Sequence, residues 1–251
     1  LAFPAGAQSG AASPLGSGRG PVARVAYTSD ERVDNVIELF AVPTDGSAAP
    51  LVLSGTMVTG GDVSVLKQIH GGRVLYNADA LVNGVFELFV VPDDASAPPL
   101  RLNGALVAGG AVREFWGAGE YALYRADAVV DEQDELFRVP LDGSSPPVAL
   151  TPGLDVTRIF TVSADGARIV FSTYPGSEER VYVVATDGLT PPVSLAGSGA
   201  PSGFYITYFW QVELTGDGQR VVFSTAQDDD STIVGELWSV RIDGTSLVQL
   251  N

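Results

Sequence analysis

The sequence predicts an all-β fold, a β-propeller of five blades, because one pattern recurs about every fifty residues along the chain. Each copy has a short apolar strand that closes on an aromatic residue, then a polar gap, a second apolar strand and a turn. The apolar runs are rich in Val, Leu, Phe and Tyr, and no stretch has the apolar spacing of a helix. The closing aromatics of the five copies are Tyr27, Tyr76, Tyr124, Phe171 and Phe223.

The second copy shows four strands in order, over residues 63–69, 73–76, 86–91 and 100–102. The third of these is apolar at nearly every position, which favours a sheet packed on both faces, as in a propeller blade. We therefore expect four-stranded antiparallel blades near residues 24–55, 62–104, 111–151, 156–197 and 207–251.

The turns between the predicted strands support the same assignment. Glycine accepts the positive φ of tight hairpin turns, and Asp-Gly occurs at 45–46, 142–143, 165–166, 187–188, 217–218 and 243–244. Proline lacks an N–H and suits the start of an outer edge strand. Pro-Pro pairs precede the predicted fourth strand at 98–99, 146–147 and 191–192.

The turn-plus-strand segments 163–171 (Ser-Ala-Asp-Gly-Ala-Arg-Ile-Val-Phe) and 215–223 (Thr-Gly-Asp-Gly-Gln-Arg-Val-Val-Phe) are followed by a strand ending in Asp-Gly. In three of the other copies that strand begins Glu-Leu-Phe, and in the last it begins Glu-Leu-Trp. Together these motifs resemble the TolB-type, WD40-like β-propeller repeat over roughly residues 22 to 251. The same repeat type occurs in the propeller domains of dipeptidyl-peptidase-like and prolyl-oligopeptidase-like enzymes. The resemblance implies the fold, and propellers of this type serve as scaffolds, receptors and substrate gates.

Residues 1–21 are expected to be a flexible leader or a donated strand, and residues 22–251 the propeller. A convincing innermost strand occurs in only four copies, so the inner edge of the first blade needs another partner. The leader begins with an apolar segment that contains Leu1 and Phe3 and continues as a tether rich in Ala, Gly, Ser and Pro. Three interpretations stay open: the segment completes the first blade, it is donated to a neighbouring molecule, or the chain is part of a longer one.

The composition is strongly acidic, with 30 Asp plus Glu against 14 Lys plus Arg and a net charge of −16. A nucleic-acid partner would need a basic face, and Lys67 is the only lysine, so we expect no nucleic-acid binding. No apolar stretch is long enough to cross a bilayer, so we expect no membrane insertion. The chain does not begin with Met and lacks a signal peptide, so we expect a secreted or periplasmic bacterial protein whose export signal has been removed.

Calcium is the one cofactor that the sequence suggests. Asp127 and Asp131 of the third copy, with Asp228, Asp229 and Asp230 of the last, lie in predicted loops where carboxylates could form part of an oxygen shell. The spacing differs from that of an EF-hand loop, and solvated acidic hairpin loops are the alternative.

An aromatic cluster in the last copy suggests a second kind of site. Tyr205, Tyr208 and Trp210 precede or lie within the predicted innermost strand. Either they are core residues between blades, or they line the rim of the central channel and stack against a sugar or a peptide.

The sequence gives little indication of catalysis. The single histidine, His70, lies in a predicted turn, and no Gly-x-Ser-x-Gly elbow or His-Glu-x-x-His zinc motif is present. We therefore expect a non-catalytic secreted propeller, not an enzyme, that binds a protein or glycan partner. Two alternatives stay open: a structural subunit of an extracellular assembly or filament, joined by N-terminal strand donation, and a glycoside-active propeller enzyme.

Overall fold

The computed structural model describes residues 23–174, 179–195, 208–229 and 232–251, without the side chains of 208–211, 225–229 and 232–235. Within these ranges the chain forms nineteen strands and no helix, which confirms the predicted all-β fold. None of the described residues forms a helix long and apolar enough to span a membrane.

The strands form five antiparallel sheets, each paired in chain order. The first sheet has three described strands, and each of the others has four. The first comprises β1 (Arg24–Ser29), β2 (Glu38–Pro43) and β3 (Leu51–Val52). The second comprises β4 (Val63–Ile69), β5 (Arg73–Ala78), β6 (Glu87–Pro92) and β7 (Leu100–Arg101). The third comprises β8 (Val112–Ala118), β9 (Tyr121–Val130), β10 (Gln133–Pro140) and β11 (Val148–Ala149). The fourth comprises β12 (Val156–Val162), β13 (Arg168–Thr173), β14 (Arg180–Ala185) and β15 (Val193–Ser194). The fifth comprises β16 (Tyr208–Leu214), β17 (Arg220–Asp229), β18 (Thr232–Arg241) and β19 (Val248–Gln249).

The repeated aromatics stack on one another within each of the first four sheets. Tyr76 of β5 stacks on Phe89 of β6 with ring centroids 5.3 Å apart, and Tyr124 of β9 stacks on Phe137 of β10 at 5.1 Å. Both tyrosine side chains are fully buried. The recurring aromatic positions therefore form a cross-strand pair in the middle of a sheet packed on both faces. The same pair recurs as Tyr27–Phe40 and Phe171–Tyr182.

Consecutive sheets pack against each other in chain order. The Val63 N–H donates to the carbonyl of Ile37 and the Val112 N–H to that of Phe86, both at 2.8 Å, which joins sheets one, two and three. Arg125 of the third sheet donates to the carbonyl of Val156, the first residue of β12. A shared apolar cluster, which includes Val170, Val183, Val212, Val221 and Val240, joins the fourth and fifth sheets.

Turn chemistry follows the prediction, with one exception. All six Asp-Gly glycines have positive φ, between 65° and 79°. Ala95 occupies the corresponding position of the second copy and has a φ of 56°, which is strained for a residue with a Cβ.

Two hairpins are longer than the sequence suggested. β9 continues to Val130 and β10 begins at Gln133, while β17 continues to Asp229 and β18 begins at Thr232. Asp127, Asp228 and Asp229 therefore lie in strands, where we had predicted loops. The Ala-Val-Val run at 128–130 has the β-branched character of a strand, and Glu132 takes the positive φ, 60°, that the tight turn requires.

Candidate functional site

The two ends of the sheet stack differ in chemistry. At the end that we call the loop end, each described innermost strand begins, and the connections 30–37, 79–86 and 131–132 turn back. At the opposite end, the turn end, the Asp-Gly turns carry aspartates that bond to their own turns. The Ser163 hydroxyl donates to Asp165 and the Thr215 hydroxyl to Asp217, both at 2.6 Å. These bonds lower the pKa of both carboxyls.

A charged cluster lies at the loop end of the third sheet. Arg113 donates through Nε to Asp134 at 3.0 Å and through Nη2 to Asp127 at 2.9 Å. Arg125 donates to Asp134 and to Glu114, both at 2.7 Å. We call these five residues the ion cluster; it sits beside a register shift in the β9–β10 pair, between Gln133 and Glu135. Such a bulge redirects side chains, and here it places Asp134 between the two guanidinium groups.

Burial sets the electrostatics of the cluster. Burial raises the pKa of Asp134, and the positive charges of Arg125 and Arg113 oppose that change. For Arg113, burial acts to lower the pKa, but the hydrogen bonds and charges of Asp134 and Asp127 outweigh it, so the pKa is raised. The side chains of Arg113 and Glu114 are 43% and 41% exposed. The cluster therefore presents one positive and one negative group to solvent from the innermost strand β8.

Buried aspartates at this end anchor the connections between sheets. Asp79 accepts the N–H of Asp62 at 2.6 Å and that of Gly84 at 2.7 Å. Asp127 repeats the first bond in the third sheet, accepting the N–H of Ala111 at 2.6 Å. Each aspartate thus ties the Gly-Gly segment before an innermost strand to the next strand of that sheet, which is a structural role.

These contacts bear on the predicted calcium ligands. Both oxygens of Asp127 accept protein hydrogen bonds, and Asp131 is an exposed turn residue. Across the described ranges, no three His, Cys, Asp or Glu side chains are grouped so that they could hold a metal ion. Asp230 and the side chains of Asp228 and Asp229 lie outside the described residues, so calcium binding there stays a prediction.

The other sequence-based site residues also fall largely outside the described part of the chain. Leu1, Phe3 and Tyr205 lie outside it. Tyr208 and Trp210 belong to β16, but their side chains are not described. His70 lies exposed in the β4–β5 turn, where the sequence placed it.

Sequence reasoning missed the contacts that Lys67, the only lysine of the chain, makes between two sheets. From β4 its Nζ donates to the carbonyl of Phe115 and lies 5.3 Å and 4.8 Å from the ring centres of Phe115 and Trp116. Burial lowers its pKa, while the charge of Glu114 opposes that effect. Lys67 therefore joins the innermost strands of the second and third sheets by a hydrogen bond and cation–π contacts.

It also missed an apolar surface at the loop end. Five aliphatic side chains in three consecutive sheets are between 45% and 60% exposed there: Val33, Leu81, Val82, Val129 and Val130. We call them the aliphatic rim. The sequence contains an indication of this surface. An aliphatic residue recurs between the second and third predicted strands of each of the first three copies.

No family profile matches the chain, so the TolB-type resemblance stays a prediction. No curated protein matches it either. The chain is similar in structure to a puromycin-hydrolyzing peptidase of Mycobacterium tuberculosis, with a TM-score of 0.51 and 18% identity over 85% of this chain and 32% of that one.

A second similar structure comes from a study of two prolyl endopeptidases and the role of inter-domain dynamics in their catalysis and specificity. Its TM-score is 0.48, with 17% identity over 76% of this chain and 28% of that one. This chain therefore spans about a third of the length of the solved structures that it matches.

These findings correct the functional expectation from the sequence. We had expected a non-catalytic scaffold and no enzyme, with a filament subunit or a glycoside-active propeller as alternatives. The puromycin-hydrolyzing peptidase that the chain resembles is an enzyme, which contradicts that expectation. The sequence argument considered only catalytic motifs inside this chain, which spans 32% of the peptidase that it resembles.

Proposed function

We propose that this chain is a five-bladed β-propeller that serves as the propeller part of a peptidase-class hydrolase. The observation that carries this proposal is the structural similarity to the puromycin-hydrolyzing peptidase, which extends over 85% of this chain but only 32% of that protein. Five sheets that pack consecutively, four of them four-stranded, support the five-bladed architecture.

We assign the bond-breaking step and the positioning of the substrate to two different parts of the protein. The printed sequence contains no Gly-x-Ser-x-Gly elbow, and its one histidine lies in an exposed turn. We therefore assign the hydrolytic nucleophile to a part outside the five sheets and assign substrate positioning to this chain. Binding energy from groups remote from the reacting bond is a general source of catalytic rate and specificity.

The ion cluster supplies suitable groups for a peptide substrate. A peptide presents an ammonium group and amide carbonyls, and the exposed parts of Glu114 and Arg113 offer an acceptor and a donor on the same strand. Arg113 is held in place by Asp127 and Asp134, so little side-chain entropy would be lost when substrate binds. In the proposal, Glu114 receives the substrate ammonium group and Arg113 donates to a carbonyl.

A substitution at Glu114 tests this assignment. Glu114→Gln keeps the shape and an acceptor for Arg125 but removes the negative charge. We assay the natural protein that contains this chain against a panel of short peptides, puromycin and N-acetylated forms of the same peptides. The variant should raise KM for substrates with a free amino terminus by roughly 10- to 150-fold, because a charged hydrogen bond contributes roughly 1.5–3 kcal/mol. KM for the acetylated peptides should stay unchanged.

Glu120→Gln is the matched control, because Glu120 lies at the turn end and its side chain is 86% exposed. It should leave KM unchanged for every substrate. Equal KM values for Glu114→Gln and the unaltered protein on free-amino peptides would remove Glu114 from the proposed site. No cleavage of any panel member by the folded natural protein would refute the proposed function itself.

A further inference from the structure

The loop end and the turn end expose different kinds of surface. At the loop end the aliphatic rim lies in three consecutive sheets, in two connections and at the end of β9, and Ile37 and Tyr174 are also exposed at this end. At the turn end the hairpin turns consist mainly of Asp, Gly, Ser and Pro. Single exposed aliphatic residues are ordinary, but a recurring set at one end of a repeat protein is typical of an interaction surface.

Buried aspartates order the backbone next to two parts of the rim. Asp79 and Asp127 do this through the hydrogen bonds described above, and both aspartates are buried. A preformed apolar surface of this kind costs little ordering entropy on binding.

The acidic residues around the aliphatic rim indicate the charge of the partner that could bind there. Five exposed acidic residues share these connections with the rim: Asp30, Glu31, Asp34, Asp131 and Glu132. The one basic residue in the described connections, Arg32, is already paired with the buried Glu38. A second copy of this chain, with its net charge of −16 and the same acidic border, would be repelled.

We infer that the aliphatic rim is the docking surface for another protein domain, whose contact face is apolar at the centre and bordered by lysine or arginine. Apolar contact would supply affinity, and the acidic border would fix orientation and increase the association rate. The inference rests on the proposed function in one respect, that the domain is the hydrolytic one. Docking there would place that domain beside the exposed ends of Arg113 and Glu114.

Zero-length coupling of carboxylates to amines tests the inference. A carbodiimide joins a carboxylate beside the rim to a lysine of the partner. Lys67 is the only lysine of this chain, and its Nζ donates to the Phe115 carbonyl. A coupled lysine other than Lys67 therefore comes from outside residues 1–251. Extracts of cells that make the natural protein are coupled and digested, and the peptides are analysed by mass spectrometry. We expect Asp131 or Glu132 to be coupled to lysines outside residues 1–251, on the same polypeptide or another, next to apolar residues.

Replacing part of the rim should reduce the yield of this product. The variant Leu81→Ser/Val82→Ser alters only a loop, and it should lower the yield of that coupling about tenfold with an unchanged melting temperature. Leu189→Ser is the matched control, because Leu189 is 85% exposed at the turn end. It should leave the yield unchanged.

Three results would overturn the inference: no coupling at Asp131 or Glu132, coupling to Lys67 of a second copy, or equal yields from the rim variant and the control. Binding of the purified protein to phosphatidylglycerol vesicles through the rim would also overturn it, in favour of a lipid surface. If the coupled partner lacks hydrolase activity, docking is supported and the proposed function fails. If the protein hydrolyses the panel but no coupling is found, the proposed function is supported and the docking inference fails.

Discussion

Gly110→Ala tests whether the Gly-Gly segment before β8 is set by close backbone contact with Asp127. A Cβ built on Gly110 would lie 2.4 Å from the backbone carbonyl oxygen of Asp127 and 3.1 Å from that of Val107. Carbon–oxygen contacts are normally no shorter than about 3.3 Å, so one of the two segments would have to move by nearly 1 Å. The oxygen belongs to a buried strand and not to a flexible side chain, so the strain has no inexpensive release.

The expected cost follows from two contributions. Inserting a methyl group into a well-packed site typically costs about 1–3 kcal/mol. Displacement of the segment would also weaken the bond from the Ala111 N–H to the Asp127 carboxylate, a charged hydrogen bond of the class that contributes roughly 1.5–3 kcal/mol when intact. We expect a total destabilisation of about 2–4 kcal/mol, or about 5–15 °C in melting temperature for a chain of this size.

Urea unfolding monitored by tryptophan fluorescence and circular dichroism measures this loss. Gly104→Ala is the control, because Gly104 lies in the same connection and a Cβ there meets nothing within 4 Å. It should change stability by no more than about 0.5 kcal/mol. The reasoning would be refuted if Gly110→Ala also stayed within that range, or if both variants were equally destabilised.

Three further predictions concern a turn, the acid limb of stability and the single lysine. Ala95→Gly should stabilise the protein by about 0.5–1 kcal/mol in urea unfolding, because it relieves a positive φ, whereas Gly46→Ala at the corresponding turn should destabilise it. The pKa of Asp217 is lowered in the folded protein, so the stability that it contributes is present above its ordinary value of 3.8 and is lost as pH falls through the lowered pKa. Acid titrations followed by circular dichroism should therefore show a shallower loss for Asp217→Asn below pH 3.8; an unchanged acid limb would contradict this. Lys67→Met should lower stability by about 1–2 kcal/mol, since it leaves the Phe115 carbonyl without its donor, and an unchanged melting curve would show that this contact is unimportant.

The repeat pattern predicted the strands well because strand pairing and turn type depend on local sequence. Apolar runs, closing aromatics and Asp-Gly turns each report on a few neighbouring residues, and the structure has sheets at the positions that they indicate. The innermost strand that the first copy lacks in sequence is also lacking among its described strands.

The candidate site could not be predicted in the same way, because its partners are distant in sequence. In the sequence, Asp127 is one of several acidic residues in predicted loops. Its structural role depends on Arg113 and on the backbone N–H of Ala111. Lys67 meets Phe115 only because two sheets pack side by side. The functional expectation rested on motifs inside a chain that spans 32% of the peptidase that it resembles, and such motifs say nothing about residues outside the chain.

The most direct test of the account is hydrolysis of the substrate panel by the natural protein that contains this chain, followed by mass spectrometry of the products. We expect cleavage of free-amino peptides or of puromycin, with KM raised by Glu114→Gln and unaffected by Glu120→Gln. A folded, intact protein that leaves every member of the panel uncleaved would contradict it.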